Sequence, residues 1–160
     1  MILYHFTARE HLNAIKAEGL SRGEVPLSMQ DVIQGVWFTT DIDSAGHGLS
    51  SGGALSAETL KVFERINGHP APPGARFANK RAVRITAKIL TTDRNLVHWP
   101  KWGRKRLEPR WYDVLNQAGG GKHKTWYVYF GTVPPSAFVA IDFLDGQPAD
   151  MADVANSVAA

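Results

Sequence analysis

Residues 2–6, with the sequence ILYHF, precede Thr7-Ala8-Arg9-Glu10, and together they predict a buried strand that passes directly into a helix. Thr7 and Glu10 have the spacing of a capping box, in which the threonine hydroxyl and the glutamate carboxylate each accept a hydrogen bond from a free amide. Leu12 and Ile15 supply an apolar stripe, and Gly19 stands where a helix commonly ends with a positive φ. A strand–helix unit is therefore the first element that the sequence predicts.

Further along the chain, strand signals are more frequent than helix signals. The predicted strands are 36–40 (VWFTT), 82–90, 125–130 (TWYVYF, the strongest) and 137–143. A second helix is predicted over 55–66 from the spacing of Leu55, Leu60, Phe63 and Ile66. Residues 21–34 and the Gly- and Ser-rich segment 41–53 are predicted as loops, and 91–123 is not assigned. The fold class is therefore α+β, with one domain over 1–145 and a C-terminal tail over 146–160.

Composition limits the classes of function. With 44% apolar and 21% charged residues, the 160-residue chain is typical of a globular domain. The absence of cysteine excludes disulfides, thiolate metal sites and a cysteine nucleophile. His98 and His123 lack metal-ligand spacing with other donors, so no metal is expected. The N-terminus lacks the pattern of a signal peptide and no apolar run is long enough to span a membrane, so we predict a cytoplasmic protein without a membrane partner.

The segment 94–111 combines cations with tryptophans. Six lysines and arginines between Arg94 and Arg110 face one acid, Glu108, and Trp99, Trp102 and Trp111 lie among them. Such a segment could track phosphates and stack bases of a single-stranded nucleic acid. The alternative, which the sequence favours somewhat, is that the tryptophans pack a long loop onto the domain. On charge alone, a solvated loop is an equally good interpretation.

Three segments together resemble the signature segments of the ADP-ribosyltransferase superfamily. They are Leu3-Tyr4-His5-Phe6-Thr7 with a helix ending at Gly19-Leu20, then Gly35-Val36-Trp37-Phe38-Thr39-Thr40, then Thr125-Trp126-Tyr127-Val128-Tyr129. The resemblance is to the diphtheria-toxin-like and poly(ADP-ribose) polymerase branch. It extends to DNA-modifying toxin relatives, in which the usual glycine after the histidine is also replaced, as it is here by Phe6. It covers roughly 2–40 and 122–142, and it implies a split β-sheet core with a few flanking helices.

The resemblance also implies the roles of individual residues. NAD⁺ is the implied co-substrate, with His5 bonding the nicotinamide-side ribose, Thr7 contacting the same sugar or the carboxamide, and Trp37 stacking on the nicotinamide. Thr125 stands where the family has its catalytic glutamate, and Glu108 is a candidate to supply a carboxylate from elsewhere. The implied catalytic residues are thus His5, Trp37, Thr125 and Glu108, and the implied cofactor-binding residues are His5, Phe6, Thr7, Trp37, Thr39 and Thr40. Asp41 and the segment 41–53 are expected to border this site.

The implied activity is mono-ADP-ribosyl transfer from NAD⁺ to a protein or nucleic-acid acceptor, through an oxocarbenium-like transition state. A first alternative is a catalytically degenerate module that binds NAD⁺ or ADP-ribose, a nucleic acid or a protein. A second is NAD⁺-dependent removal of a 2′-phosphate from RNA, ranked last because Arg9 and Arg84 do not fall in recognisable copies of that family's arginine motifs. Singly, a histidine or tryptophan on a strand is typical of a core residue. The joint order and spacing of the three segments favours the NAD⁺ site over a set of unrelated core residues.

Overall fold

The computed structural model describes residues 1–146, so the predicted tail 146–160 lies outside the described residues except for Gly146. The domain is a mixed α+β fold. The strands are β1 (Ile2–Thr7), β2 (Glu24–Pro26), β3 (Val32–Gln34), β4 (Val36–Thr39), β5 (Val83–Lys88), β6 (Leu96–His98), β7 (Trp126–Tyr129) and β8 (Phe138–Phe143). The helices are α1 (Leu12–Glu18), α2 (Ala57–Asn67), α3 (Trp99–Arg106) and α4 (Pro109–Ala118).

Six of the strands form one antiparallel sheet in the order β6-β7-β4-β1-β5-β8, and β2 and β3 form a separate hairpin. β1 pairs with β5 along its whole length, from Ile2 opposite Lys88 to Thr7 opposite Val83. In contrast, β1 and β4 are joined by one residue pair, Tyr4 opposite Thr39. The sheet is thus made of two three-stranded halves that meet at this sparsely paired junction, which we call the seam.

Two apolar clusters stabilise the fold. The first surrounds β1 and β5 and is covered by α1; Leu3, Phe38 and Ile85 are among its buried members. The second lies around Trp99, which is fully buried with Val25 and Val128. Because the second cluster takes its aromatic side chains from α3, α4, β4 and β7, it fixes the helices of the basic segment against the sheet.

The helix after β1 begins later than the capping-box pattern predicts. Thr7 is the last residue of β1, where it pairs with Val83. Ala8 is extended, a 3₁₀ turn covers Arg9–His11, and α1 begins at Leu12 with no side-chain cap. The predicted capping box is therefore wrong, because strand pairing extends one residue further than the local pattern indicates. The predicted end at Gly19 is confirmed: its φ is +86°, and a Cβ there would lie 2.4 Å from the Val133 carbonyl oxygen.

Two segments contain more regular structure than the sequence predicts. Residues 21–34 hold the β2–β3 hairpin, whose strands have three residues each and are too short to show an alternating pattern. The unassigned segment 91–123 contains β6, α3 and α4. Both helices carry proline in the first turn, a helix-start signal that the surrounding cations and tryptophans obscure. Among residues 1–146, no helix has the length and apolar character needed to cross a membrane.

Candidate functional site

A cavity of about 980 Å³ lies at the seam, with walls from both halves of the sheet. The residues that line it come from β1, the 3₁₀ turn, the hairpin and the two residues before it, β4, β7, and the segments around His47 and Lys80. They are Tyr4, His5, Phe6, Thr7, His11, Arg22, Gly23, Glu24, Pro26, Val32, Ile33, Gln34, Trp37, Phe38, Thr39, His47, Leu49, Lys80 and Trp126. Because the backbone ladder bridges β1 and β4 at one position only, side chains form most of the wall between them.

His5 joins the two halves through its side chain. Its Nδ1 lies 2.8 Å from the backbone oxygen of Trp37. A carbonyl oxygen only accepts hydrogen bonds, so Nδ1 carries the proton and donates, and Nε2 of the neutral ring is an acceptor. Burial lowers the pKa of His5, and the nearby Lys80 cation lowers it further, although the bond to Trp37 opposes this. The ring is therefore neutral at neutral pH and can accept from a ligand hydroxyl.

Trp37 is held in a fixed orientation at the cavity wall. Its Nε1 donates to the backbone oxygen of Glu24 at 2.8 Å. The rings of Trp99 and Trp126 contact it in edge-on geometry, with centroids 4.8 Å and 5.6 Å away. The hydrogen bond to β2 and these two contacts leave the half-buried indole as a rigid aromatic surface on the cavity.

The remaining residues of the predicted site divide into two groups. Phe6, Thr7 and Thr39 line the cavity with His5 and Trp37. Thr40 is exposed and is not among the lining residues. The structure thus brings together most of the first and second segments of the predicted site.

Thr125 lies directly behind the cavity wall and is not a lining residue. Its hydroxyl donates to the Lys122 oxygen at 2.9 Å and lies 2.7 Å from the hydroxyl of Thr39. Because a hydroxyl has one hydrogen, Thr125 accepts from Thr39 in this arrangement. Thr39 in turn accepts from the Asp41 amide. The Thr125 hydroxyl therefore serves to fix β4 against the start of β7.

Glu108 is placed away from the other predicted catalytic residues. It is the N-cap of α4, and its carboxylate accepts from the amides of Arg110 and Trp111. It does not line the cavity. A carboxylate at this position stabilises the helix start by bonding free amides and by complementing the helix dipole.

His47 is a cavity residue that the sequence analysis included only within the segment 41–53. It is buried, and its Nδ1 accepts from Trp126 Nε1 at 2.8 Å, because an indole N–H only donates. The proton of the neutral ring is therefore on Nε2, which is buried, has no hydrogen-bond partner within residues 1–146 and lies 3.7 Å from Asp41 Oδ2. Burial, and then Lys122, lowers the pKa of His47. No local motif predicts this contact, since 79 residues separate His47 from Trp126.

The glycine run after α4 allows the segment carrying His47 to pack closely. A Cβ on Gly119 would lie 1.7 Å from the Trp126 ring. Gly120 has a φ of +74°, and its Cβ would lie 2.2 Å from the Gly46 oxygen. Asp41 then bonds Lys122 at 2.6 Å, and this ion pair lowers the pKa of Asp41. The carboxylate is therefore ionised and held beside His47.

The cavity combines three chemical features. His5 offers an acceptor and Trp37 offers an aromatic surface. Lys80 and Arg22 place exposed cations among the lining residues, and Arg22 also pairs with Glu18 at 2.9 Å. These features suit a ligand with hydroxyls, a planar ring and a negatively charged group. No cluster of three or more histidine, aspartate or glutamate residues suited to a metal ion is found in residues 1–146.

Comparison of the chain with protein-family models, with curated proteins and with solved structures gives no match.

The two depressed histidine pKa values predict a dependence of stability on pH. Below about pH 6.5 the unfolded chain protonates both His5 and His47, whereas the folded protein keeps them neutral. The free energy of unfolding should therefore be fully maintained above this pH. It should fall as the pH decreases, by up to about 1.4 kcal/mol per pH unit for each histidine. Urea unfolding between about pH 5.5 and 7.5 measures this.

A His47→Gln variant should show a shallower pH dependence than the wild type, whereas His69→Gln, at an exposed position, should follow the wild type. Equal pH dependence in the wild type and His47→Gln would show that His47 is not held neutral in the fold.

Proposed function

We propose that the chain is a mono-ADP-ribosyltransferase that cleaves the nicotinamide–ribose bond of NAD⁺. The observation that carries the proposal is the meeting of two separate segments at one cavity. His5, Phe6 and Thr7 of the first segment lie beside Trp37 and Thr39 of the second, although His5 and Trp37 are 32 residues apart. This is the grouping that the resemblance implies for an NAD⁺ site.

The architecture supports the same proposal. The resemblance implies a split sheet, and the six-stranded sheet here has one pairing position between its halves, at Tyr4 and Thr39. The proposed site lies at this seam. A ligand there would contact side chains from both halves at once.

The chemistry of the residues fits the reaction. Nε2 of the neutral His5 would accept from a ribose hydroxyl and orient the sugar, and the Trp37 face would stack on the cationic nicotinamide ring. Arg22 and Lys80 would attract the pyrophosphate. The C1′–N bond breaks with its electron pair leaving on neutral nicotinamide, and the acceptor's nucleophile bonds to C1′ and loses its proton. A neutral histidine beside the sugar adds no charge that would oppose the oxocarbenium-like state.

The carboxylates near the cavity favour single transfer over polymer synthesis. Thr125, in the place of the family's glutamate, has its hydroxyl engaged with Lys122 and Thr39. Asp41 is ionised but paired with Lys122 and does not line the cavity. Glu24 lines the cavity from β2, but no carboxylate stands at the Thr125 position, so a second ribose has no base there.

A second candidate function is a module that binds NAD⁺ or ADP-ribose without turnover. The engaged Thr125 hydroxyl favours it, because no group at that position can bond the ribose without losing a contact. Removal of a 2′-phosphate from RNA has less support. Arg9 and Arg84, the two arginines considered for that reaction, form ion pairs with Asp145 and Asp142 and do not line the cavity.

Titration of tryptophan fluorescence with NAD⁺ tests the proposed site. We expect saturable quenching in the wild type and roughly tenfold weaker binding in Trp37→Ala, because stacking with a cationic ring contributes about 1–2 kcal/mol. Trp111→Phe, outside the cavity lining, is the matched control and should bind as the wild type does. Release of nicotinamide, followed by chromatography, separates the transferase from the binding module.

Absence of saturable quenching at millimolar NAD⁺ and millimolar ADP-ribose would contradict both candidate functions. Equal loss of binding in Trp111→Phe and Trp37→Ala would place the ligand outside this cavity.

A further inference from the structure

The cations of the basic segment are exposed, although its tryptophans are not. Trp99 is fully buried, and Trp102 and Trp111 are half-buried within the second apolar cluster. Trp99 donates to Asn116 and Trp111 donates to the Pro26 oxygen. Trp99 therefore offers no surface for base stacking, whereas Trp102 and Trp111 pack in the second apolar cluster and keep part of their surface exposed.

Five exposed cations cover the outer side of this packed region. They are Lys101, Arg104, Lys105, Arg106 and Arg110, which we call the basic face. Among residues 1–146 none of the five has an ion pair or a side-chain hydrogen bond; Arg104 lies 6.0 Å from the Tyr112 ring centroid. Glu108, the one acid among them, uses its carboxylate to cap α4. The positive charge of the basic face is therefore not neutralised within the described domain.

The spacing of these cations is unfavourable for the isolated α3 helix. Lys101 and Lys105 are four residues apart within α3, and like charges at this spacing destabilise a helix. The helix dipole offsets the repulsion only near the last turn of α3. A polyanion placed along the basic face would relieve this repulsion and release its own counterions.

The character of the basic face favours phosphates over a lipid surface. On α3 and α4 the one exposed large apolar side chain is Val114, whereas a membrane-binding helix presents a continuous apolar face for insertion. Three of the five cations are arginines, whose planar guanidinium group can donate two hydrogen bonds to one phosphate.

We propose that the basic face binds nucleic acid along its phosphodiester backbone. Binding of this type is independent of base sequence and depends steeply on salt. Arg110 is next in sequence to Trp111, which donates to the Pro26 oxygen at 3.3 Å, and Pro26 lines the cavity.

Fluorescence anisotropy without NAD⁺ tests the surface. The probes are labelled single-stranded DNA, duplex DNA and single-stranded RNA of about 20 nucleotides, titrated over a series of salt concentrations. We expect binding at low salt. The logarithm of the association constant should fall linearly with the logarithm of the salt concentration. Arg104→Gln with Lys105→Gln should weaken binding about tenfold and reduce the slope for duplex DNA by about 1.8, since each phosphate contact contributes about 0.9. Comparison of the three probes identifies the preferred form.

The chain offers a matched control in α2. Lys61→Gln with Arg65→Gln also removes one lysine and one arginine from exposed helical positions, and it should bind as the wild type does. Circular dichroism of each variant checks that the fold is retained. The proposal is overturned by the absence of binding at low salt, by equal losses in both variants, or by binding to anionic phospholipid vesicles without binding to any oligonucleotide. Failure of NAD⁺ turnover would leave these results unchanged.

Discussion

Replacing Trp99 with alanine is expected to lower the free energy of unfolding by about 3–5 kcal/mol. Trp99 is fully buried, and its ring contacts Trp37, Trp102 and Tyr112. Its removal leaves a large cavity in the second apolar cluster and also leaves the Asn116 oxygen without its donor. Both effects act at one position, which is why this change should be among the most destabilising in the chain.

Urea unfolding followed by far-ultraviolet circular dichroism measures the loss. Trp111→Ala should cost less because this side chain is only half-buried, and Asn116→Ala should cost about 1–3 kcal/mol by leaving the indole N–H unpaired. A loss in Trp99→Ala no greater than that in Trp111→Ala would contradict the assignment of Trp99 to the centre of the second cluster.

Loss of NAD⁺ binding in His5→Ala is the largest functional effect that we expect. The change removes the acceptor that we assign to a ribose hydroxyl, together with the bond to Trp37 that fixes the cavity wall. A decrease of about 10- to 100-fold in kcat/KM, or in affinity if there is no turnover, corresponds to the loss of one or two hydrogen bonds. The fluorescence titration and the nicotinamide assay both report it.

His5→Asn separates the two roles of this residue. The asparagine amide can donate to the Trp37 oxygen as Nδ1 does, but it offers no group at the position of Nε2. We therefore expect His5→Asn to unfold at nearly the wild-type urea concentration and still to bind NAD⁺ poorly. His11→Ala, at another lining residue, should retain binding. Recovery of NAD⁺ binding in His5→Asn would show that His5 acts only by positioning β4.

Five of the six strands of the sheet could be predicted from the sequence because each has a dense run of apolar or aromatic residues, whereas β6, with three residues, could not. The runs at 36–40 and 125–130 correspond to β4 and β7, which pair across four positions. In contrast, α3 was not predicted. Its sequence WPKWGRKR presents two tryptophans and a glycine inward and its cations outward, a pattern too short and too charged to indicate burial.

The candidate site was predictable to the extent that neighbouring residues on one strand share a location. His5, Phe6 and Thr7 line the cavity together because β1 carries all three. His47 could not be predicted in the same way, because its place depends on a hydrogen bond to Trp126, 79 residues away, and on the close approach that Gly119 permits. For Glu108 the sequence offers only its charge, and the start of α4 accounts for that charge.

The hydrogen bond from His5 to the Trp37 backbone oxygen links the two halves of the sheet at the seam through a side chain. Elsewhere in the sheet, neighbouring strands are joined by backbone ladders of several residue pairs, such as the four of β4 with β7 and the six of β1 with β5. At the seam, one backbone pair is supplemented by a side chain that is also part of the cavity wall. A molecule that hydrogen-bonds to His5 thus contacts the same side chain that links the two halves of the sheet. Ligand recognition and the alignment of the two halves therefore depend on one imidazole. A substitution at His5 would alter both properties together, whereas a substitution at Thr7 or Thr39 leaves the hydrogen bond from His5 to the Trp37 oxygen in place.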